Sequence, residues 1–563
     1  MFHKNIPFNL LKKHFLPIIF FIFWFSYFAL FWSRAIFFDK QGNIVTTHTI
    51  IWADWAEHFT FGSTMAFRSI LPHMSPLLIH SPFVYPFLAD LVSALLIKVG
   101  VPFFSAFIVP SFLFSLLLVV SLYFFYRQIF RHPTIAVIAT TIFLLNGGTG
   151  IFTFVHQIQT SPKPLEILLH PPQKYTDLEK DGIYWQSIID TMVIPQRSFT
   201  LGLPLGLIAL SLMFSLVSEK KISSLQLKKV IPIAIIVGLL PIIHTHTFLA
   251  IGIILFFWIL HQFLQLHQLS LKKFFQRYFV FCIIVALLAV PLLSIFFIGQ
   301  VSSSHFIRWL PGWYAHELHL NWFLFWWRNW GVTPIVALGG WALLLQKKTQ
   351  RQNAFFLFFP FWTIFILLNL FTFQPYTWDN TKLLAWASVG ISGLAGYGIF
   401  RISQVKKPFF LIIGGALFLA IVATGAVDVY RILDQQQIPY TMYSKEELDL
   451  AQWVEENTPV ETNWLTSDKH NHWLYNLTGR QTLMAYRGWL WSQGYNYQPI
   501  EKDVVEMFQH PSEKSLFQKY QVQYVVIGPE EKSVWQADEQ QFAKIFTTMK
   551  KTPNYTIFAE MAK

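Results

Sequence analysis

Long apolar runs alternate along the chain with short polar linkers. The apolar runs cover 15–33, 86–100, 103–126, 134–150, 199–217, 230–243, 247–262, 274–298, 331–346, 354–373, 383–400 and 409–427. A spanning helix needs roughly 20 apolar residues, so the pattern predicts 11–13 membrane-crossing helices, some of them short. Lys12 and Lys13 precede the first run and no small-residue cleavage site follows it, which reads as a retained signal anchor. After Asp428 the pattern changes. Charges return, Gly and Pro punctuate the chain, and a β-rich stretch at 520–528 sits beside a helical one at 444–456. The expected fold class is a polytopic α-helical membrane protein with a small external α/β domain. Residues 1–430 form the membrane domain, with external loops at 34–86 and about 151–197, and residues 440–563 form the soluble part. No repeat of 20–50 residues and no inverted repeat is evident, which argues against a secondary transporter.

Composition sharpens this reading. Hydrophobic residues make up 54% of the 563 and charged residues only 13%, against roughly a quarter charged in a soluble domain, so a water-soluble globular fold is excluded. The single cysteine, Cys282, lies in an apolar run, which excludes an intrachain disulfide or a cysteine-based metal or redox site. Charge is unevenly placed: 29 basic and 13 acidic residues precede position 429, and 13 basic and 17 acidic follow. The basic excess sits in short linkers: Lys4/Lys12/Lys13, Arg127/Arg131, Lys220/Lys221/Lys228/Lys229, Lys272/Lys273/Arg277, Lys347/Lys348/Arg351 and Arg401/Lys406/Lys407. The positive-inside rule explains these clusters without a nucleic-acid partner and makes lipid the surrounding partner. It puts the N-terminus in the cytoplasm, and 300–330, 374–382 and the tail outside, in the cell membrane of the host. Such a topology requires an odd number of crossings, whereas a plain count of the runs is twelve. The surplus is expected between 86 and 158, where Asn146-Gly-Gly-Thr-Gly150 divides 141–159 into two short helices.

Acids are scarce in the first 428 residues, and a carboxylate in a membrane domain tends to be kept for function. Ile51-Trp-Ala-Asp-Trp-Ala-Glu-His58 puts Asp54, Glu57 and His58 on one helical face at i, i+3 and i+4. This arrangement suits a general base, or half of a divalent-metal site for Mg²⁺ or Mn²⁺ with Asp54 and Glu57 as ligands. An equally open reading is an interfacial amphipathic helix with Trp52, Trp55 and Phe59 in the membrane surface. Two further segments each set a cation at the start of an apolar run: Ile194-Pro-Gln-Arg197-Ser198 and Trp378-Asp379-Asn380-Thr-Lys382. Together they would grip a phosphate. Otherwise Arg197 and Lys382 snorkel to headgroups, or Lys382 pairs with Asp379. His244-Thr-His246, between two runs, either lines a cavity and binds metal, sugar or phosphate, or hydrogen-bonds neighbouring loops. His316, Glu317 and His319 form a second metal-like patch inside a belt of tryptophans.

The long first loop with an acid just after the first helix, followed by His80-Ser-Pro-Phe-Val-Tyr85-Pro86, resembles the GT-C glycosyltransferase superfamily. That group includes protein O-mannosyltransferases, aminoarabinose transferases and the catalytic subunit of oligosaccharyltransferase. In the tail, Trp453-Val-Glu-Glu-Asn-Thr-Pro459 and Leu477-Thr-Gly-Arg480 are similar to the start of the external domain of oligosaccharyltransferase subunits. Between those motifs the oligosaccharyltransferases carry Trp-Trp-Asp-Tyr-Gly, and this chain has Leu465-Thr-Ser-Asp-Lys-His-Asn-His472 instead. The resemblance implies a polyprenyl-phosphate sugar donor, an external glycan, lipid or protein acceptor, and Asp54 as base or metal ligand with Glu57 and His58 beside it. The candidate substrate contacts are His80 and Tyr85, with Arg197, His244, His246, Trp378, Asp379, Asn380 and Lys382. Gly488-Trp-Leu-Trp-Ser-Gln-Gly494 is similar to aromatic sugar-binding surfaces, or else is ordinary aromatic core. The alternatives are a lipid-linked-glycan flippase and a non-catalytic glycan-binding scaffold.

Overall fold

A computed structural model describes residues 8–185, 187–218, 225–265, 271–297, 306–346, 351–434 and 439–560. The linker residues Lys4, Lys220, Lys221, Lys347 and Lys348 lie outside these. Eight of the described helices are long and apolar enough to cross a membrane, the first covering Phe15–Trp32 and the last Pro408–Ile432. Pro133–Leu145 and Thr333–Leu345 are apolar but shorter. The helix Thr377–Ser403 is the most enclosed of the eight, with Gly390, Gly393, Gly396 and Gly398 allowing neighbouring helices to approach closely.

The chain divides into two compact units. One comprises residues 1–33, 111–293 and 306–437 and holds most of the long apolar helices. The other joins 34–110 and 294–305 to the tail 438–563. In this second unit the first loop and the tail share a three-stranded sheet: Phe37–Phe38 pairs with Ile44–Thr46, which pairs with Tyr440–Tyr443, all antiparallel. The tail itself is built on a five-stranded mixed sheet. Asn463–Leu465 runs parallel to both Gln481–Thr482 and Val522–Ile527; Thr556–Glu560 then pairs antiparallel with Val522–Ile527 and with Phe546–Lys551. Trp464, Val525, Ile527 and Ile557 are buried in it.

Two expectations between 86 and 158 are resolved. The run 86–100 forms the helix Leu88–Lys98, of 11 residues. At 1.5 Å per residue this is about 16 Å, half of the roughly 30 Å hydrocarbon core, so it is not a spanning helix and the expected crossing there is corrected. The segment 141–159 is indeed split: Pro133–Leu145 and Ile151–Thr160 are separate helices with Asn146–Gly150 between them.

Candidate functional site

The helix Thr49–Ser63 carries the first candidate cluster. Ile51, Trp55, Ala56, Phe59 and Phe61 bury one side of it, so the sequence pattern folds here as a packed helix of the second unit rather than one lying bare on a lipid surface. The tail holds it in place. Asn476, at the end of the helix Trp473–Leu477, donates from Nδ2 to the Ala56 carbonyl (3.0 Å) and to Thr60 Oγ1 (2.8 Å). Asn476 Oδ1 accepts from Tyr443 Oη at 3.0 Å, and Trp52 Nε1 donates to the Thr441 carbonyl at 3.0 Å.

Asp54 and Glu57 are half-buried on this helix, whereas His58 is fully buried. His58 Nδ1 lies 3.0 Å from Oδ2 of Asp90, a buried acid on the helix Leu88–Lys98. Glu57 accepts a short hydrogen bond from the Gln493 amide. Asp54 and Glu57 are hard oxygen donors of the kind Mg²⁺ or Mn²⁺ takes. Among the described residues, however, no three His, Cys, Asp or Glu side chains group closely enough to hold a metal ion. Two carboxylates with Glu57 already engaged do not make a complete metal site. Asp90, Gln493 and Asn476 were not legible as partners, since each lies far along the chain from the residue it meets.

The loop after this helix is also fixed within the second unit. Ile79 N donates to the Leu483 carbonyl and Ala485 N to the Leu77 carbonyl, so the motif around His80 is pinned to the tail. His80 has φ 56°, a left-handed conformation uncommon for a residue with a side chain, and its ring stacks on Tyr520 at 5.9 Å. Tyr85 packs against Phe61 at 4.4 Å and lies edge-on to His58 at 6.2 Å.

The other candidates belong to the first unit. Arg197 opens the helix Arg197–Ser218 and is 1% exposed, so it does not snorkel to headgroups; its Nε donates to Ser111 Oγ at 3.1 Å. Lys382 pairs with Asp379 at 3.1 Å, both partly exposed. His244 and His246 lie 5.2 Å apart ring to ring. His244 Nδ1 meets Thr247 Oγ1 at 2.8 Å, which also accepts from Trp386 Nε1, and His246 Nε2 meets the Gln374 amide at 2.9 Å. Asn380 is used by backbone: its Oδ1 accepts from Phe373 N and its Nδ2 donates to the Phe371 carbonyl, closing the turn that presents Trp378. Trp378 stacks on Trp313 at 5.7 Å. Glu317 accepts from Thr377 Oγ1 at 2.6 Å, which ties that patch to the same turn.

The first unit also holds a group of acids. Asp190 pairs with Lys174 at 2.7 Å. Asp428 accepts from Tyr175 N, Thr176 N and Thr176 Oγ1 at 2.6–2.7 Å. Burial pushes the Asp177 carboxyl up to about 6, helped by Asp190 and Glu179 and opposed by Lys174. The loop acids Asp177 and Asp190 are visible in the sequence; their convergence with Asp428, at the end of the last apolar run, is not.

No family model matches the sequence, and no curated protein sequence matches it. Solved structures do. The apo oligosaccharyltransferase of Archaeoglobus fulgidus superposes with a TM-score of 0.54 at 13% identity, over 95% of this chain and 73% of that one. The same organism's AglB, in complex with an inhibitory peptide and a dolichol-phosphate, gives 0.50 at 13% identity over 98% and 75%. ArnT from Cupriavidus metallidurans bound to undecaprenyl phosphate gives 0.50 at 10% identity over 97% and 98%.

Proposed function

We propose that this chain, which has the fold of the GT-C glycosyltransferases, is a membrane enzyme that moves a sugar from a polyprenyl-phosphate-linked donor to an acceptor outside the cytoplasm. The observation that carries the reading is the helix Thr49–Ser63. It follows the first long apolar helix, keeps Asp54 and Glu57 half-open on one face, and is bolted to the tail through Asn476. A carboxylate held on a rigid helix suits a general base, because catalysis gains from groups oriented in advance. The donor class is supported by the solved relatives, one holding a dolichol-phosphate and one undecaprenyl phosphate.

The proposed chemistry is a single displacement. The acceptor's nucleophilic oxygen or nitrogen attacks the anomeric carbon and gives its proton to Asp54. The bond from that carbon to the lipid phosphate oxygen breaks, and the electron pair leaves with the phosphate. Glu57, steadied by Gln493, orients the same helix face. Arg197 and Lys382 are assigned to the negative charge that grows on the departing phosphate, where cationic donors lower the barrier most.

The test incubates purified protein with labelled polyprenyl-phosphate sugars and an extract of host envelope, and follows labelled product. Asp54→Asn keeps size and abolishes the base, so transfer should fall at least 100-fold with protein yield and donor binding retained. Full transfer by that variant would remove Asp54 from the mechanism.

A further inference from the structure

Beside the N-terminal turn of the Asp54 helix, wholly within the second unit, lies a pocket of about 500 Å³, a size suited to a small ligand. Its walls are Trp52 from that helix, the tail segment Asp468–Asn471, and Tyr486 with Arg487. The Trp52 indole is bonded to the Thr441 carbonyl and meets the His470 ring edge-on at 4.2 Å; Tyr486 also meets His470 edge-on, at 5.7 Å. Gly488 seats the Tyr486 ring, since a Cβ there would stand 2.4 Å from Tyr486 Cε1. The segment is also held by Tyr475, whose hydroxyl bonds to the Lys469 carbonyl.

Two polar atoms on this wall have no hydrogen-bond partner among the described residues. Asn471 is 3% exposed; its Nδ2 donates to the Met442 carbonyl while its Oδ1 is left over. His470 Nε2 is likewise buried and unmatched. Buried polar atoms are nearly always satisfied, and exceptions mark a ligand or water position. Charge decides what the ligand is. Arg487 is held by Asp468 at 2.5 Å and by Glu501 at 2.7 Å, and Lys469 reaches Glu447 at 3.4 Å. Burial and Lys469 hold His470 down at about 4, so it is neutral at pH 7. Glu530 completes the lining. The cations are already matched by carboxylates, which disfavours a phosphate or other anion.

We propose that this pocket binds a neutral pyranose ring of the acceptor, with its apolar face on Tyr486 and its hydroxyls on Asn471 Oδ1 and His470, so that the acceptor is a glycan. Aromatic faces beside convergent hydrogen-bonding groups are what a polyhydroxylated ring with one apolar side requires. Choosing a glycan over a peptide or lipid acceptor rests on the sugar-transfer reading, whereas the binding itself does not.

The test measures binding of free maltotriose, mannotriose and chitotriose to the purified full-length protein by saturation-transfer NMR and calorimetry. The expected result is binding of at least one of them, weakened tenfold or more in Tyr486→Ala and restored in Tyr486→Phe. That pattern supports the pocket even where no transfer is ever detected. Absence of binding, or binding indifferent to Tyr486, overturns it even where transfer to a peptide or lipid is seen. Gly488→Ala supplies a second variant and should weaken binding by displacing the Tyr486 ring without touching the wall's polar groups.

Discussion

His58 turns inward because a buried imidazole needs a partner and Asp90 provides one at 3.0 Å. The sequence face that joins it to Asp54 and Glu57 at i+4 and i+3 is real as a helix face, yet the three side chains do different things. His58 meets Asp90, a residue of another helix, and Glu57 accepts from Gln493. Asp90→Ala removes the carboxylate 3.0 Å from His58 Nδ1 and should destabilise the protein by about 1–3 kcal/mol, the usual cost of losing one partner of a buried polar pair. Thermal unfolding of the purified protein would register this as a lower Tm, and an unchanged Tm would mean that the pair is not structural. Residue type and spacing alone pointed to Asp54. They could not reveal Asp90 or Gln493, which lie 32 and 436 positions from their partners and are brought in only by tertiary folding.

At the scale of elements, hydropathy identified the long helices because a lipid-facing helix must be apolar along its length. It failed at Leu88–Lys98, where an equally apolar run serves to pack against a neighbouring helix rather than to cross a bilayer. The break at Asn146–Gly150 was legible because glycines permit backbones to touch: a Cβ on Gly150 would stand 1.8 Å from the Tyr175 carbonyl oxygen. Gly150→Ala should therefore disrupt the loop that presents Tyr175 and Thr176 to Asp428, with loss of folded yield by size-exclusion chromatography. In the tail, Glu531 caps its own short helix through Gly528 N and accepts from Ser467 N and, at 3.2 Å, from His472. Burial alone would raise this carboxyl, but those bonds overcome it and hold it at about 2, below the ordinary 4.5. A depressed folded value means that the stabilisation is complete above about 4.5 and disappears as pH falls through about 2. The difference corresponds to about 3 kcal/mol. Glu531→Gln should lower Tm clearly at pH 7 and progressively less on acidification below 4.5; a constant gap between the two proteins across that range would contradict the assignment.

For the whole molecule, the apolar content excluded a soluble fold, and the change of character after Asp428 announced a domain of different kind. The sequence did not announce that the loop 34–110 folds with that domain as one unit, through the strand Ile44–Thr46 and the helix Thr49–Ser63. Such pairings join segments some 400 residues apart, and hydropathy is blind to them. The consequence is functional, since the base candidate and the pocket wall Trp52 share one helix anchored in the tail. The same fold is compatible with moving a lipid-linked sugar rather than cleaving it, and chemistry distinguishes the two. The decisive measurement reconstitutes the purified protein in liposomes with a labelled polyprenyl-phosphate sugar and host envelope acceptors, and quantifies free polyprenyl phosphate against intact donor in each leaflet. The account predicts release of polyprenyl phosphate in step with labelled acceptor, abolished by Asp54→Asn. Intact donor crossing between leaflets with no phosphate released, equally in both proteins, would contradict it.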